Sequence, residues 1–83
     1  MLDITERAAG VVRQSAEAAR RFNPDARIRL IRAAAGLAFE LTDERDPTDV
    51  ELDCRGAMLL VAADIDGTID TGDHNAPVLR PFA

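Results

Sequence analysis

The first third of the chain carries apolar residues at the spacing of one helix face. Between residues 5 and 22 they recur at every third or fourth position, which is typical of an amphipathic α-helix. These positions are Ala8, Val12, Ala16, Ala19 and Phe22. Thr5 is a suitable N-cap, and Glu6 places an acid in the first turn, where the helix dipole favours one. The Asn23-Pro24-Asp25 sequence ends the helix. We therefore predict a helix over residues 5–22 whose apolar stripe is buried in the core.

After Pro24 the apolar positions alternate with polar ones, which is typical of β-strands. Strands are predicted over residues 27–30, 37–41, 50–54, 58–61, 68–69 and 78–79. The run from Met58 to Val61 contains no polar residue, so it is predicted to be the most buried strand. The acidic stretch 43–49 is predicted to be a loop, and Arg55-Gly56 and Asp66-Gly67 are predicted turns.

One helix followed by five or six short strands, with no helix between them, indicates an α+β fold. We predict one N-terminal helix packed on a small, mostly antiparallel β-sheet or β-sandwich. The chain has 83 residues, which make one domain, 1–83, and leave no room for a second. A domain of this size buries only roughly 60% of the surface of its unfolded chain, so its stability is expected to be small.

Charge is distributed unevenly along the chain. The formal net charge is −5, yet residues 1–33 hold seven arginines against four acids, and residues 34–83 hold three arginines against eleven acids. Binding to a phosphate backbone needs a concentrated basic face, so the acidic total argues against a nucleic-acid partner. The two-signed charge is compatible with head-to-tail association of copies or with a charged protein partner.

The sequence also bears on location. No stretch approaches the roughly 18 apolar residues of a membrane span, and the N-terminus lacks the basic and then apolar segments of a signal peptide. The chain contains one cysteine, Cys54, and a lone thiol fits a reducing compartment. We therefore expect a cytoplasmic protein with no membrane partner.

Five short stretches occur in an order and at a spacing that match a known family. They are Leu2 to Ala9, Ala26 to Leu30, Ala35 to Phe39, Asp46 to Val61 and Asp66 to Asp70. The first resembles the hydrophobic-x-hydrophobic-Thr opening and Ala-rich helix of the HesB/IscA family, the A-type iron–sulfur carriers. The last resembles that family's Asp-Gly-Thr-x-hydrophobic-Asp motif. The resemblance covers nearly the whole chain and implies the HesB/IscA fold.

The same resemblance identifies residues that this chain lacks. It implies iron or an iron–sulfur cluster held by one cysteine in a glycine-rich turn and by a Cys-Gly-Cys near the C-terminus. Here Ala34 occupies the first position, and the sequence ends at Ala83, where the second pair would begin. An iron–sulfur cluster needs about four thiolates, or imidazole in their place. We therefore expect a degenerate member with no bound cluster and no other cofactor.

Residues 60–73 contain two overlapping motifs, one that resembles an enzyme signature and one that resembles a metal-binding loop. Leu60 to Thr68 resembles the strand and Asp-x-Asp-Gly-Thr signature of haloacid-dehalogenase phosphatases, but that aspartyl chemistry needs Mg²⁺, a lysine and further carboxylates, and this chain has no lysine. Asp64 and Asp66 also fit positions three and five of a calcium loop, but position twelve is Asp73 and no exit helix follows. We predict a turn here and no enzymatic activity, with a weak divalent site as the alternative.

Few other side chains offer chemistry. His74 is the only histidine and lies in a polar loop beside Asp73, whereas Cys54 shares strand parity with Leu52 and is predicted to be buried. Cys54, His74 and Asp73 are the weak candidates for metal binding. The interface candidates are Met58 and Leu60, because one helix cannot cover both faces of an apolar strand.

Two functions of different classes remain. The first is a non-catalytic HesB/IscA-like domain that has lost its cluster ligands and acts as a structural or protein-interaction module, as a homo-oligomer or a subunit of a larger assembly. The second is an accessory of iron–sulfur cluster biogenesis that binds iron or a client protein weakly. The missing ligands favour the first.

Overall fold

One helix and seven strands make up the computed structural model, which describes residues 2–34, 36–44 and 46–80. In chain order they are β1 (Leu2–Ile4), α1 (Glu6–Arg20), β2 (Arg27–Ala33), β3 (Gly36–Thr42), β4 (Val50–Asp53), β5 (Met58–Val61), β6 (Gly67–Thr71) and β7 (Pro77–Arg80). A short 3₁₀ turn, Asp73–Asn75, precedes β7. Ala35 of the family-like turn, Arg45 of the acidic loop and Ala83 lie outside the described residues.

The helix forms as the sequence predicts, with one exception. The Thr5 side-chain oxygen accepts a hydrogen bond from the Ala8 N–H at 3.2 Å, which caps the helix. Ala8, Val12, Ala16 and Ala19 are buried. The predicted burial of Phe22 is wrong, since its side chain is 92% exposed. The helix ends at Arg20, two residues earlier than predicted, so Phe22 lies beyond the last regular turn and leaves the core-facing stripe.

The strands are divided between two small sheets. The larger has the order β3-β2-β5-β4, and the smaller has the order β1-β6-β7. Three strand pairs are antiparallel, and two, β2 with β5 and β1 with β6, are parallel. The prediction of an α+β fold with one helix and mostly antiparallel strands is confirmed. Strand β1 was not predicted, because three residues are too few to show an alternating pattern.

The core lies between α1 and the inner faces of both sheets. The helix packs against β2 and β6, and its small alanine side chains let its backbone come close to them. The larger sheet contributes Ile28, Leu30, Leu59 and Val61, and the smaller contributes Ile69. Leu59 to Val61 are all buried, which confirms β5 as the most buried strand. Burying each large aliphatic side chain contributes about 1.5–3 kcal/mol.

Asp70 connects the start of the helix to the smaller sheet. Its Oδ1 accepts hydrogen bonds from the Thr5 hydroxyl and from the Thr71 N–H, both at 2.8 Å. Its Oδ2 accepts a hydrogen bond from Arg80 Nε at 2.9 Å. The Arg80 contact and the two further donors favour the carboxylate and lower the pKa of Asp70 to about 2. The N-cap, β6 and β7 are therefore held together by one ionised side chain.

Candidate functional site

A groove runs between the C-terminal half of α1 and the inner face of β3. We call it the α1–β3 groove. Its helix side is formed by Ser15, Ala18, Ala19 and Phe22, and its strand side by Ile28, Phe39, Glu40 and Leu41. The cleft has a volume of about 390 Å³ and is lined mainly by apolar side chains. It continues past Phe22 toward Asp43 and Glu44.

The groove exists because one helix is too narrow for this sheet. An α-helix with its side chains is about 10–12 Å across, whereas four strands at about 4.8 Å spacing are wider. The helix covers β2 and reaches across to β6, and β3 lies at the edge of the larger sheet, where only its first half meets β7. The apolar side chains that β3 directs inward are therefore only partly buried.

Two large apolar side chains project from the groove. Phe22 is 92% exposed, and Leu41, which lies beside it, is 61% exposed. Neighbouring exposed apolar side chains of this size are typical of a binding surface, whereas single ones are ordinary. The exposed Phe22 side chain contributes little to core packing. Core packing therefore does not explain why a large apolar side chain occupies this position.

The charged residues that line the groove and its continuation are acidic. At the end of the helix, the exposed Arg21 lies 3.8 Å from Glu17, a loose pair one turn apart. On the strand side, Asp43 and Glu44 are exposed, and Glu44 is oriented by a backbone hydrogen bond to the Thr42 hydroxyl at 3.1 Å. A partner that fills the groove therefore meets an acidic edge on the strand side.

The backbone of β3 adds a second feature. Strand order leaves β3 with only one hydrogen-bonded neighbour, β2, within the part of the chain that the structure describes. Its first residues, Gly36 and Leu37, lie near β7. The second half of β3 therefore presents both apolar side chains and an unpaired strand edge at the groove, and such edges favour association.

The outer face of the larger sheet is more buried at Leu60 than the sequence pattern predicts. Leu60 is 1% exposed although its strand parity places it opposite the core residue Leu59. Its cross-strand neighbours are Arg29 and Glu51. Arg29 donates two hydrogen bonds to the Asp49 carboxylate, at 2.8 and 3.0 Å. Asp49 is thus held against the Arg29 side chain, and Leu60 is buried within the single chain.

This arrangement bears on the interface prediction at Met58 and Leu60. The prediction assumed that one helix would leave the far face of β5 uncovered, but on that face Leu60 is buried and Arg29 holds Asp49, whose side chain is 1% exposed. Leu60 offers almost no surface to a partner, and Met58, at 38% exposed, is the accessible member of the two. An interface at Met58 stays a prediction, and the α1–β3 groove is the more exposed apolar surface.

Cys54 is a core residue, as its strand parity predicted. It is fully buried in the turn after β4, and its thiol donates a weak hydrogen bond to the Leu52 carbonyl at 3.7 Å. Burial, with a smaller contribution from the negative charge of Asp53, raises the pKa of the Cys54 thiol. A protonated, buried thiol is a poor nucleophile and a poor metal ligand.

The other candidate ligands are at the opposite end of the molecule. His74 is exposed in the 3₁₀ turn before β7, with a left-handed backbone at φ 58°, and Asp73 lies beside it. Pro77, which follows that turn, lies near Gly36 of the β2–β3 hairpin, the hairpin that contains Ala34. Since β2 runs from the Cys54 end of the sheet to this hairpin, the fold separates Cys54 from His74 within one chain.

The acids of the calcium-like motif are engaged in local contacts. The Asp64 carboxylate accepts a hydrogen bond from Arg32 Nε at 2.7 Å, and that contact lowers the pKa of Asp64. Asp66 Oδ1 accepts one from the Gly67 N–H at 3.0 Å, at the predicted turn into β6. Among the described residues, no group of three or more His, Cys, Asp or Glu side chains is placed to hold a metal ion.

No helix within residues 2–34, 36–44 and 46–80 combines the length and apolar content needed to span a membrane.

Comparison with protein-family models, with curated proteins and with solved structures found no match to this chain. The surfaces described above therefore carry the functional argument.

Sequence reasoning missed the groove because it assigned Phe22 to the buried stripe. One signal was present: Phe22 is followed directly by Asn23-Pro24, so it stands where a helix ends and where side chains leave the helical face. The Arg29–Asp49 contact had no comparable signal. It joins residues 20 positions apart, and nothing in their spacing indicates that they meet.

Proposed function

We propose that this chain is a non-catalytic protein-interaction module that binds a protein surface in the α1–β3 groove. The observation that carries the proposal is the pairing of Phe22 with Leu41, two large exposed apolar side chains on one concave surface. Aromatic side chains at the centre of a patch supply much of the binding energy in protein interfaces. The acidic residues on the strand side would orient the partner and disfavour acidic ones.

The HesB/IscA-like assignment, the lost cluster ligands and the cytoplasmic location belong to the same proposal. The support for them is the sequence: the ordered motifs, alanine at position 34 and a single cysteine. The buried position and raised pKa of Cys54 further favour a thiol that fills space in the core over one that holds iron.

In-cell photo-crosslinking tests the groove directly. A photo-reactive phenylalanine analogue is placed at Leu41 in the full chain, and the matched control carries it at Val50. Val50 is also an exposed apolar residue, but it lies on β4, at the opposite edge of the same sheet. We expect a discrete covalent adduct from position 41 and only background from position 50. Equal yields at the two positions, or no adduct at position 41, would contradict the proposal.

A second experiment asks whether the exposed aromatic ring supplies binding energy. Phe22→Ser removes the ring from a position that contributes little to the core, so the variant should keep the wild-type circular dichroism spectrum and thermal midpoint. Combined with the crosslinker at Leu41, it should strongly reduce the adduct. A full adduct yield in the folded Phe22→Ser variant would show that the groove is not the binding surface.

A further inference from the structure

We infer, on the basis of the proposed function, that the partner supplies an extended segment of alternating apolar and basic residues, which pairs with the free edge of β3. Such pairing adds a strand to the sheet, and main-chain hydrogen bonds hold the added strand. Its side chains then point alternately to the two faces of the sheet. The backbone of β3 and the charges beside it support each part of this assignment.

The backbone of β3 directs hydrogen-bonding groups away from β2. In an antiparallel pair, alternate residues exchange hydrogen bonds with the neighbouring strand, and the residues between them direct N–H and C=O outward. The Leu30 carbonyl accepts a hydrogen bond from the Ala62 N–H at 3.3 Å, so the Leu30 backbone faces β5. Phe39, the β3 partner of Leu30, therefore makes no hydrogen bond to β2, and neither does Leu41. Their N–H and C=O groups lie at an edge that no described strand pairs with.

One face of the added strand lies against the α1–β3 groove. Phe39 and Leu41 line the groove together with the exposed Phe22. A strand beside β3 places every second side chain on this face, next to those of β3. Apolar residues at these positions bury Phe22 and Leu41, so the partner alternates with an apolar residue at every second position.

The other face of the added strand lies against acids. Glu40, which alternates with the apolar residues of β3, borders both the groove and a cleft on the opposite face, and Glu44 lines the same cleft. Arg29 also lines that cleft, but its guanidinium is already bonded to the Asp49 carboxylate. Among the described residues, neither Glu40 nor Glu44 forms an ion pair. Lysine or arginine at the intervening positions of the added strand supplies the opposite charge.

The same acids disfavour a second copy of β3 as the added strand. Pairing between the β3 edges of two copies brings Glu40 and Glu44 of one copy close to the same acids of the other, and like charges on paired strands are destabilising. Asp43, in the continuation of the groove, adds a further negative charge. Charged residues commonly protect an exposed sheet edge from self-association in this way. An acidic edge stays open to a basic strand.

NMR titration of the isotope-labelled full chain with a synthetic peptide tests the inference. The peptide has about seven residues, close to the usual length of a strand, and alternates lysine with valine and phenylalanine. We expect a dissociation constant below about 1 mM, and hydrogen exchange at the Phe39 and Leu41 amides slowed at least about tenfold at saturation. The Ala38 and Glu40 amides face β2, so their exchange should stay unchanged and serves as an internal control.

Matched peptides separate backbone pairing from charge. N-methylation of one alternate set of amides should abolish binding, and methylation of the other set should preserve it, because a strand bonds its neighbour through every second residue. A peptide with glutamate in place of lysine should bind at least about 30-fold more weakly.

Protein variants test the acids themselves. Glu40→Gln combined with Glu44→Gln should weaken binding of the lysine peptide about fivefold and reduce its dependence on salt. Asp73→Asn, the matched control at an exposed acid in the turn before β7, should bind the peptide like the wild type.

Several results would overturn the inference. Equal binding of the lysine and glutamate peptides would refute a basic partner, and equal effects of the two methylation patterns would refute strand addition. If the lysine peptide does not bind but the crosslinking experiment still gives an adduct at Leu41, this inference alone is refuted. The interaction module then stands with a different partner, which is a second copy if the adduct has twice the chain mass. Absence of both binding and adduct would refute both.

Discussion

Truncating Leu60 tests whether the acidic segment 46–49 covers the outer face of the larger sheet. Leu60 lies opposite the main core and between Arg29 and Glu51, yet it is 1% exposed. On that face its neighbour Arg29 is hydrogen-bonded to Asp49, and we expect this contact to cover Leu60. We therefore expect Leu60→Ala to destabilise the protein as much as a core truncation does.

The magnitude follows from the atoms removed. Leucine to alanine deletes three carbon groups, which at about 0.8 kcal/mol each gives roughly 2.4 kcal/mol. The cavity that remains adds to this, so we expect a loss of about 3 kcal/mol. A domain of this length has a total stability of about 4–12 kcal/mol, so the loss is a large fraction of it. Leu59→Ala, on the core face, should cost a similar amount, and Leu41→Ala should cost less than about 1 kcal/mol.

Urea unfolding followed by circular dichroism measures these losses, at a protein concentration low enough to keep the chain monomeric. Small domains have a urea slope of about 1 kcal/mol per M, so the unfolding midpoint of Leu60→Ala should fall by about 3 M. The same truncation is then measured in an Asp49→Asn background. Loosening the Arg29 contact exposes position 60, so the two changes together should cost less than their sum by at least about 0.5 kcal/mol.

The reasoning fails if Leu60→Ala behaves like Leu41→Ala and costs less than about 1 kcal/mol. Position 60 would then be exposed in solution, and segment 46–49 would not cover the sheet. Strict additivity with Asp49→Asn would show that Leu60 is buried without help from the Arg29–Asp49 contact. The first result would return the outer face of β5, including Met58, to consideration as a binding surface.

Three further predictions concern other buried or bonded groups. Cys54→Ala should lower the free energy of unfolding in urea by about 1 kcal/mol, and Cys54→Ser should lower it more because it buries a hydroxyl. Wild-type stability in both variants would place the thiol outside the core. Asp70 has its pKa lowered from 3.8 to about 2, so its stabilisation is present well above pH 3.8 and is lost as the pH falls toward 2. The stability difference between wild type and Asp70→Asn should therefore shrink between pH 5 and pH 2, and a constant difference would contradict the assigned contacts. The Thr71 hydroxyl is buried with no hydrogen-bond partner among the described residues, so Thr71→Val should be neutral or stabilising by about 1 kcal/mol in thermal unfolding, whereas a clear loss would reveal an unseen partner.

The elements of this fold could be predicted from local sequence because their signals are local. The N-cap at Thr5 and the 3.6-residue period of the alanines determine the helix, and the two-residue period after Pro24 determines most of the strands. Cys54 was correctly predicted to be buried from strand parity alone. Each of these predictions depends on residues within a few positions of each other, and the backbone geometry that connects them is fixed.

The surfaces of the protein could not be predicted in the same way. Whether Phe22 is buried depends on where the helix ends and on how many strands one helix can cover. Leu60 has the parity of an exposed residue, but it is buried on the face where Arg29 and Asp49 meet. The sequence by itself therefore determined the helix, most of the strands and their inner faces, through local periodicity. Only the tertiary structure decided which apolar side chains remain for a partner, because exposure depends on contacts between residues that are distant in the chain.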